Sequence, residues 1–247
     1  MLKVFRSAFI IAFYDIKSKY TGSILGPIWI LINLIILTFA LSNIYASLLN
    51  VNVLDYSAYI GIGFAIWWFI INTINEGTDC LIVNRNLILN SNISIHFMWS
   101  RLIFKNLMIF FHCLMIYPVF LFLNKLQINN LIYLIPSILL LIIFLYLVVS
   151  IISMICVRYR DISQIIVSIM GVSTFITPIL FKVEMFPDRV GFIEYNPFYH
   201  FVEIMRDPIL GNELDLNNFI VAIMINMTLF LIFILIKKKR KNISLWI

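Results

Sequence analysis

Long apolar runs alternate with short polar stretches along this chain. The runs at residues 27–49, 56–74, 102–123, 131–157, 162–181 and 219–236 are close to the length that crosses a bilayer as a helix, about 20 residues for a hydrocarbon core of about 30 Å. The pattern predicts an all-α integral membrane protein with about six transmembrane helices. Two stretches do not fit a plain bundle. Residues 1–23 place Phe5, Phe9, Phe13 and Ile16 at helical spacing beside Lys3, Arg6, Lys17 and Lys19. That combination predicts an amphipathic helix lying in the membrane interface. Residues 182–218 are too polar to cross and too apolar for a free loop. Within them, Asn196-Pro197 has the residue types of an N-cap and a first helical position, and Phe198, Phe201, Val202 and Met205 then share a face. Short re-entrant helices are expected here, dipping into the outer leaflet where protein covers their polar backbone.

Composition agrees with this picture. The 247 residues are 62% hydrophobic and 12% charged, with mean hydropathy +1.02, whereas a soluble domain carries about 25% charged residues. A single transmembrane domain over 1–247 leaves no room for a sizeable soluble one. It divides into an interfacial helix and elbow (1–26), five spans (27–181), an outer region (182–218), a last span (219–236) and a basic tail (237–247). The net charge of +6 points to anionic lipid and not to nucleic acid. With a cytoplasmic N-terminus, fourteen of the 18 basic residues fall on inner segments, and Lys125, Lys182, Arg189 and Arg206 fall outside. Eight of the 12 acids fall outside. This asymmetry follows the positive-inside rule and puts both termini in the cytoplasm. The N-terminus mimics a signal peptide weakly, but its apolar core is short and no small-residue cleavage site follows, so it is expected to be retained.

No enzyme site stands out. The chain has no GK dipeptide and so no Walker A loop. Gly61-Ile62-Gly63 lacks a third glycine and sits inside a span. Cys80, Cys113 and Cys156 are too widely spaced for a metal or redox motif. His96, His112 and His200 are scattered. His112, inside the third span, is either a proton relay or, the better expectation, a packed and hydrogen-bonded histidine. No span carries the acid and lysine cluster of an ion-coupled carrier, since Glu76 and Asp79 lie at a span's cytoplasmic end. A secondary transporter would also show inverted repeats, and none is evident. A membrane-bound transferase would need clustered acids at one face; Glu184, Asp188 and Glu194 are the candidates. No metal site is expected.

The stretch YDIKSKYTGSILGPIW, residues 14–29, raises a specific question, because two glycines and a proline stand between the interfacial helix and the first span. One answer is an elbow. Gly22 and Gly26 permit a sharp turn, Pro27 starts the new helix and Trp29 anchors the interface. The other is a GxxxG helix-packing motif.

The same stretch resembles the RYXXSXLGXXW signature of type 2 ABC exporter permeases of the polysaccharide branch, with Lys19 where the family has arginine. Four later pieces agree in order. They are Asn84-Arg85-Asn86-Leu87-Ile88 after the second span, Arg160-Asp161-Ile162 before the fifth, Thr177-Pro178-Ile179 near its outer end, and Asn196-Pro197 before the last short helix. The last two are most similar to O-antigen and teichoic acid export permeases. Two departures stand out: the proline usual near residues 93–97 is missing, and the tail is unusually basic.

The resemblance implies a homodimer in the cytoplasmic (inner) membrane joined to two copies of a separate ATPase. ATP and Mg would be bound by that partner, and this chain would hold no cofactor. The cargo would be a lipid-linked, O-antigen-like polysaccharide carried on undecaprenyl diphosphate. The alternatives are a teichoic acid, a capsule, or a drug or small lipid handled by the same fold. In this frame Tyr14, Lys17, Lys19 and Tyr20 would form a gate that meets the lipid diphosphate and the first sugars, or would simply anchor the helix to anionic lipid. A short helix bearing Arg85, Asn86, Leu87 and Ile88 would contact the ATPase, or residues 80–100 would be a plain connector. Arg160 and Asp161 would order the start of the fifth helix. Phe39, Trp67, Trp68, Phe69, Phe175 and Phe181 are candidates to stack on a passing glycan, or they face lipid. Trp67 and Trp68 are adjacent, so at most one of the two is expected to line a path.

Overall fold

The computed structural model describes residues 2–90, 93–124, 130–183 and 190–237. They form α1 (Leu2–Lys19), α2 (Ile28–Leu49), α3 (Val53–Val83), α4 (Arg85–Asn90), α5 (Ile95–Cys113), α6 (Tyr117–Asn124), α7 (Leu134–Arg158), α8 (Asp161–Ile176), α9 (Val190–Glu194), α10 (Pro197–Leu210) and α11 (Leu216–Lys237). No strand occurs among the described residues. Five helical segments are long and apolar enough to cross a membrane: Ile28–Leu49, Val53–Val83, Ile95–Phe122, Leu131–Arg158 and Leu216–Lys237. The chain is a multi-pass membrane protein.

The fifth of the six expected spans, residues 162–181, is shorter than its apolar run. The helix α8 has 16 residues, about 24 Å at 1.5 Å per residue. It stops because Thr177 precedes Pro178, which pushes it out of the helical region, and it sits at φ −77 and ψ 136. The second span is longer than its run. α3 continues to Val83 for 31 residues, about 46 Å, because Glu76 and Asp79 find polar partners along its inner end. The third span begins at Ile95, seven residues before the apolar run suggests, and a 3-10 turn at Leu114–Ile116 joins it to α6. Pro118 lies in the first turn of α6, where a missing N–H costs least.

The long helix α3 is the axis of the bundle, and 83% of its most apolar window is buried. It packs against α2, α5, α7, α8 and α10. Its N-cap is Asn52, whose side chain accepts from Leu54 N–H at 2.9 Å. The flanking spans α2 and α11 are only 17% buried over the same measure, so most of their surface faces whatever surrounds the chain.

Helix α1 stops at Lys19, and residues 20–27 form the connection to α2. Its buried face is Ala8 and Ala12, which let it lie close along α5. The phenylalanines expected to define its apolar face are largely exposed; Phe5 and Phe9 lie edge-on to Phe104 of α5 at 6.4 and 5.8 Å, and Phe13 points away.

The connection decides between the two readings of the glycine pair. Gly22 and Gly26 have φ +85 and +55, and nothing lies within 4 Å of where either Cβ would be. They are turn residues in left-handed conformations and pack no helix against another. Ser23 Oγ accepts from Gly26 N–H at 3.1 Å and closes the elbow, and α2 begins immediately after Pro27.

The segment between α8 and α11 is built around α10. Asn196 caps it as expected, accepting from Phe198 N–H at 3.0 Å, and its Nδ2 donates to Thr177 Oγ1 at 2.9 Å. Phe201, Val202 and Met205 are fully buried, and Phe198 is half-buried. The helix is wedged against α3, α7 and α11. The acids Glu184 and Asp188, and tail residues 238–247, lie outside the described residues.

Replacing Gly26 by Leu forces a β-carbon into a left-handed turn, a strain of about 1–2 kcal/mol. The expected outcome is normal membrane insertion by reporter-fusion topology, with thermal unfolding in detergent lowered by a few degrees. Loss of insertion would make the turn a requirement for entering the membrane.

Candidate functional site

Two neighbouring cavities open beside the C-terminal half of α3. The first, about 570 Å³, lies between the end of α1, the C-terminal end of α3 and the start of α5. Its charged lining includes Asp15, Lys19, Glu76, Arg101 and Lys105. The second, about 430 Å³, lies farther along α3 among α2, α5 and α8. Lys19 and Glu76 border both.

Arg101 organises the first cavity. Its Nε and Nη2 each donate to the Asp15 carboxylate at 2.6 Å, a two-pronged pair that ties α1 to α5. Its Nη1 reaches Asn84 Oδ1 at 3.4 Å, at the junction of α3 and α4. Lys105 Nζ pairs with Glu76 at 2.6 Å, and Asn106 Nδ2 donates to the same carboxylate oxygen at 2.8 Å. These pairs explain why α3 and α5 stay helical past their apolar runs. Each partner is far away in sequence, and spacing alone gave no signal for either pair.

Of the residues expected to form a gate, Lys19 and Tyr20 line these cavities, with the Lys19 ammonium 6.0 Å from the Tyr20 ring centroid. Tyr14, Lys17 and Trp29 are exposed and line neither. Burial raises the Tyr20 phenol above its usual range.

The short helix expected after the second span is present as α4. Ile88 packs on the cluster formed by Leu81, Met98 and Trp99, while Arg85, Asn86 and Leu87 are exposed. One residue, Asn84, separates it from α3, and its side chain donates to Cys80 O at 2.7 Å. Arg160 and Asp161 stand at the break between α7 and α8, and α8 starts at Asp161. Ser163 in its first turn bonds Thr78 Oγ1 at 2.8 Å and Asp79 at 3.2 Å, so the break is fastened to α3.

At the other end of α3, the non-helical residues after α8 are held by side chains. Tyr56 Oη donates to Leu180 O at 2.5 Å. Tyr59 Oη shares its proton between Phe181 O at 2.9 Å and Pro178 O at 3.1 Å. Arg206 Nη1 donates to Pro178 O at 2.8 Å, its guanidinium lies 3.8 Å from the Tyr59 ring centroid, and its Nη2 pairs with Glu203. Arg206 is 1% exposed. Removing one member of such a buried pair costs about 3–5 kcal/mol, because the other is left uncompensated. Sequence reading placed Arg206 and Glu203 among dispersed outer charges, and it missed their burial. Beside this network is a polar cavity of about 560 Å³ that also holds Asp207 and Tyr199. Burial, reinforced by Glu203, pushes the Asp207 carboxyl up to about 7, and burial pushes the Tyr199 phenol up to about 12.

The aromatic candidates divide. Trp67 is buried and donates to Thr174 Oγ1 at 2.9 Å. Trp68 also borders the second cavity, so both tryptophans line the same space; neighbouring helical residues are about 100° apart, and the cavity wraps that far around α3. Phe69 is core, stacked on Phe110 at 5.2 Å. Phe39 and Phe175 point outward, and Phe181 is half-buried. The Nε2 of His112 is buried with no hydrogen-bond partner among the described residues, contrary to the expectation of a bonded histidine. Among the described residues no group of His, Cys, Asp or Glu is arranged to hold a metal ion.

Asp15→Asn and Arg101→Gln, made singly and together, measure how firmly α1 is held. Thermal unfolding in detergent is expected to give a coupling of about 1–2 kcal/mol, with the double variant better than the sum of the singles. Strict additivity would show that the pair does not fasten α1.

No protein-family model matches the chain, and no curated protein matches it either.

Proposed function

We propose that this chain is the membrane subunit of an ATP-driven exporter that moves a lipid-linked, O-antigen-like polysaccharide outward across the cytoplasmic membrane. It acts as a homodimer with two separate ATPase subunits, which bind ATP and Mg. Both termini are cytoplasmic, and α8 with residues 177–181 completes a sixth crossing. The helix α10 re-enters the outer leaflet, where α3, α7 and α11 cover it.

The observation that carries this reading is the construction of α4. A partner that supplies energy must push on something rigid and accessible. α4 exposes Arg85, Asn86 and Leu87, is anchored through Ile88, and lies one residue from the helix on which the bundle is built. Its junction also touches Arg101, which holds α1. Displacement of α4 therefore reaches both the core and the elbow. The cavities beside α1 supply the second requirement, space at the membrane surface where Lys19 suits a lipid diphosphate and tryptophans suit sugar faces.

The buried Arg206–Glu203 pair favours a different reading, an ion-coupled carrier. The Arg206 Nη1 and Nη2, however, are bound to Pro178 O and Glu203, which is the chemistry of a structural clasp.

Deleting the gene is expected to remove a surface polysaccharide and to leave lipid-linked polymer inside the cell. An unchanged surface with no internal accumulation, in a strain without a redundant exporter, rejects the glycan reading. Changing Arg85 to Glu together with Leu87 to Ala is expected to leave ATP hydrolysis by the complex intact and to cut transport at least tenfold. Normal transport would remove α4 from the coupling route.

A further inference from the structure

The second cavity contains more hydrogen-bonding capacity than the chain uses. Asn33 of α2 and Asn72 of α3 both line it. Neither side chain has a hydrogen-bond partner among the described residues, and both are exposed toward the open space. Unpaired amides within membrane-spanning helices are expensive. Cheaper residues would serve if these positions faced only lipid. Their placement around one cavity calls for a polar occupant.

The rest of the lining says what kind. Trp68 is half-buried at the edge of the space, with its ring available for stacking, whereas Trp67 Nε1 is committed to Thr174. Lys19 and Glu76 are the charged residues of the lining, with opposite signs, and Glu76 is already paired with Lys105 and Asn106. An anionic or cationic ligand finds no net counter-charge here. Amides that both donate and accept, next to an aromatic face and without net charge, suit a neutral, hydroxyl-rich ring. The cavity of about 430 Å³ is of small-ligand size. It shares Lys19 and Glu76 with the first cavity.

We propose that this cavity is a sugar subsite within a single subunit, formed by Asn33, Asn72 and Trp68, which takes the neutral sugar ring next to the lipid diphosphate. The inference rests on the polysaccharide-export reading and adds to it the part of the cargo that one subunit grips. Asn33 and Asn72 exchange hydrogen bonds with ring hydroxyls or an acetamido group, Trp68 stacks on the ring's CH face, and the diphosphate stays near Lys19.

The test uses the full chain in lipid nanodiscs and two probes: undecaprenyl diphosphate bearing one N-acetylglucosamine, and bare undecaprenyl diphosphate. Binding is measured by microscale thermophoresis for the wild type and for the Asn33→Leu/Asn72→Leu double variant. The wild type is expected to bind the glycosylated lipid at least tenfold more tightly than the bare one. The double variant is expected to lose that preference while binding the bare lipid as before. Because these amides have no partner in the fold, the variant should also melt at or above the wild-type temperature; a clear drop would assign them a structural role and overturn the subsite. Equal binding of both lipids by the wild type, or an unchanged preference in the variant, overturns the subsite and leaves the export reading standing. Failure to bind either lipid removes the export reading and the subsite together.

Discussion

A backbone that leaves its helix inside a membrane protein must find partners for its carbonyls, since lipid offers none. In this chain that demand falls on the residues that follow Thr177, and the arrangement of the outer half follows from how it is met. Tyr56 and Tyr59 on α3 reach Leu180, Phe181 and Pro178, and Arg206 on α10 reaches Pro178. Arg206 then needs Glu203, one turn away on the same helix. The proline that ends α8 thus fixes where α10 sits against α3. Asn196, which caps α10 and also binds Thr177, fixes where it starts. These bonds use up a buried cation that would otherwise suggest transport chemistry.

The C-terminal end of α3 uses the opposite device. There the helices outrun the apolar runs of the sequence, and carboxylates and cations pair across them. Arg101 stands where α1, the α3–α4 junction and α5 meet. The Arg206 clasp and the Asp15–Arg101 and Glu76–Lys105 pairs each border a cavity, and the buried Arg206 Nε is left without a hydrogen-bond partner among the described residues.

Much of the fold could be read from the sequence where the signal was local. The elbow at Gly22 and Gly26, the cap at Asn196, the short helix at Arg85 and the break before Asp161 each rest on a few neighbouring residues, and each lies where it was expected. Span ends were less legible, because hydropathy reports where lipid begins and not where a helix stops. α3 continues past its apolar run on the strength of partners in α5 and α8, and α8 falls short of its run at Thr177-Pro178, a stop that the proline itself announces. The functional pairs were illegible for a different reason. Asp15 and Arg101 are 86 residues apart, and nothing in either neighbourhood indicates the other. Among the aromatic candidates, a hydrophobic period cannot separate a ring in the core, such as Phe69, from one on a cavity wall, such as Trp68.

The most direct measurement is translocation in proteoliposomes that contain this chain, the ATPase expressed with it and a fluorescent lipid-linked oligosaccharide. The account requires ATP-dependent movement of the glycan across the bilayer only when both proteins are present, with no dependence on a proton or sodium gradient. Movement driven by an ion gradient without the ATPase, or no movement with both proteins and ATP supplied, would contradict it.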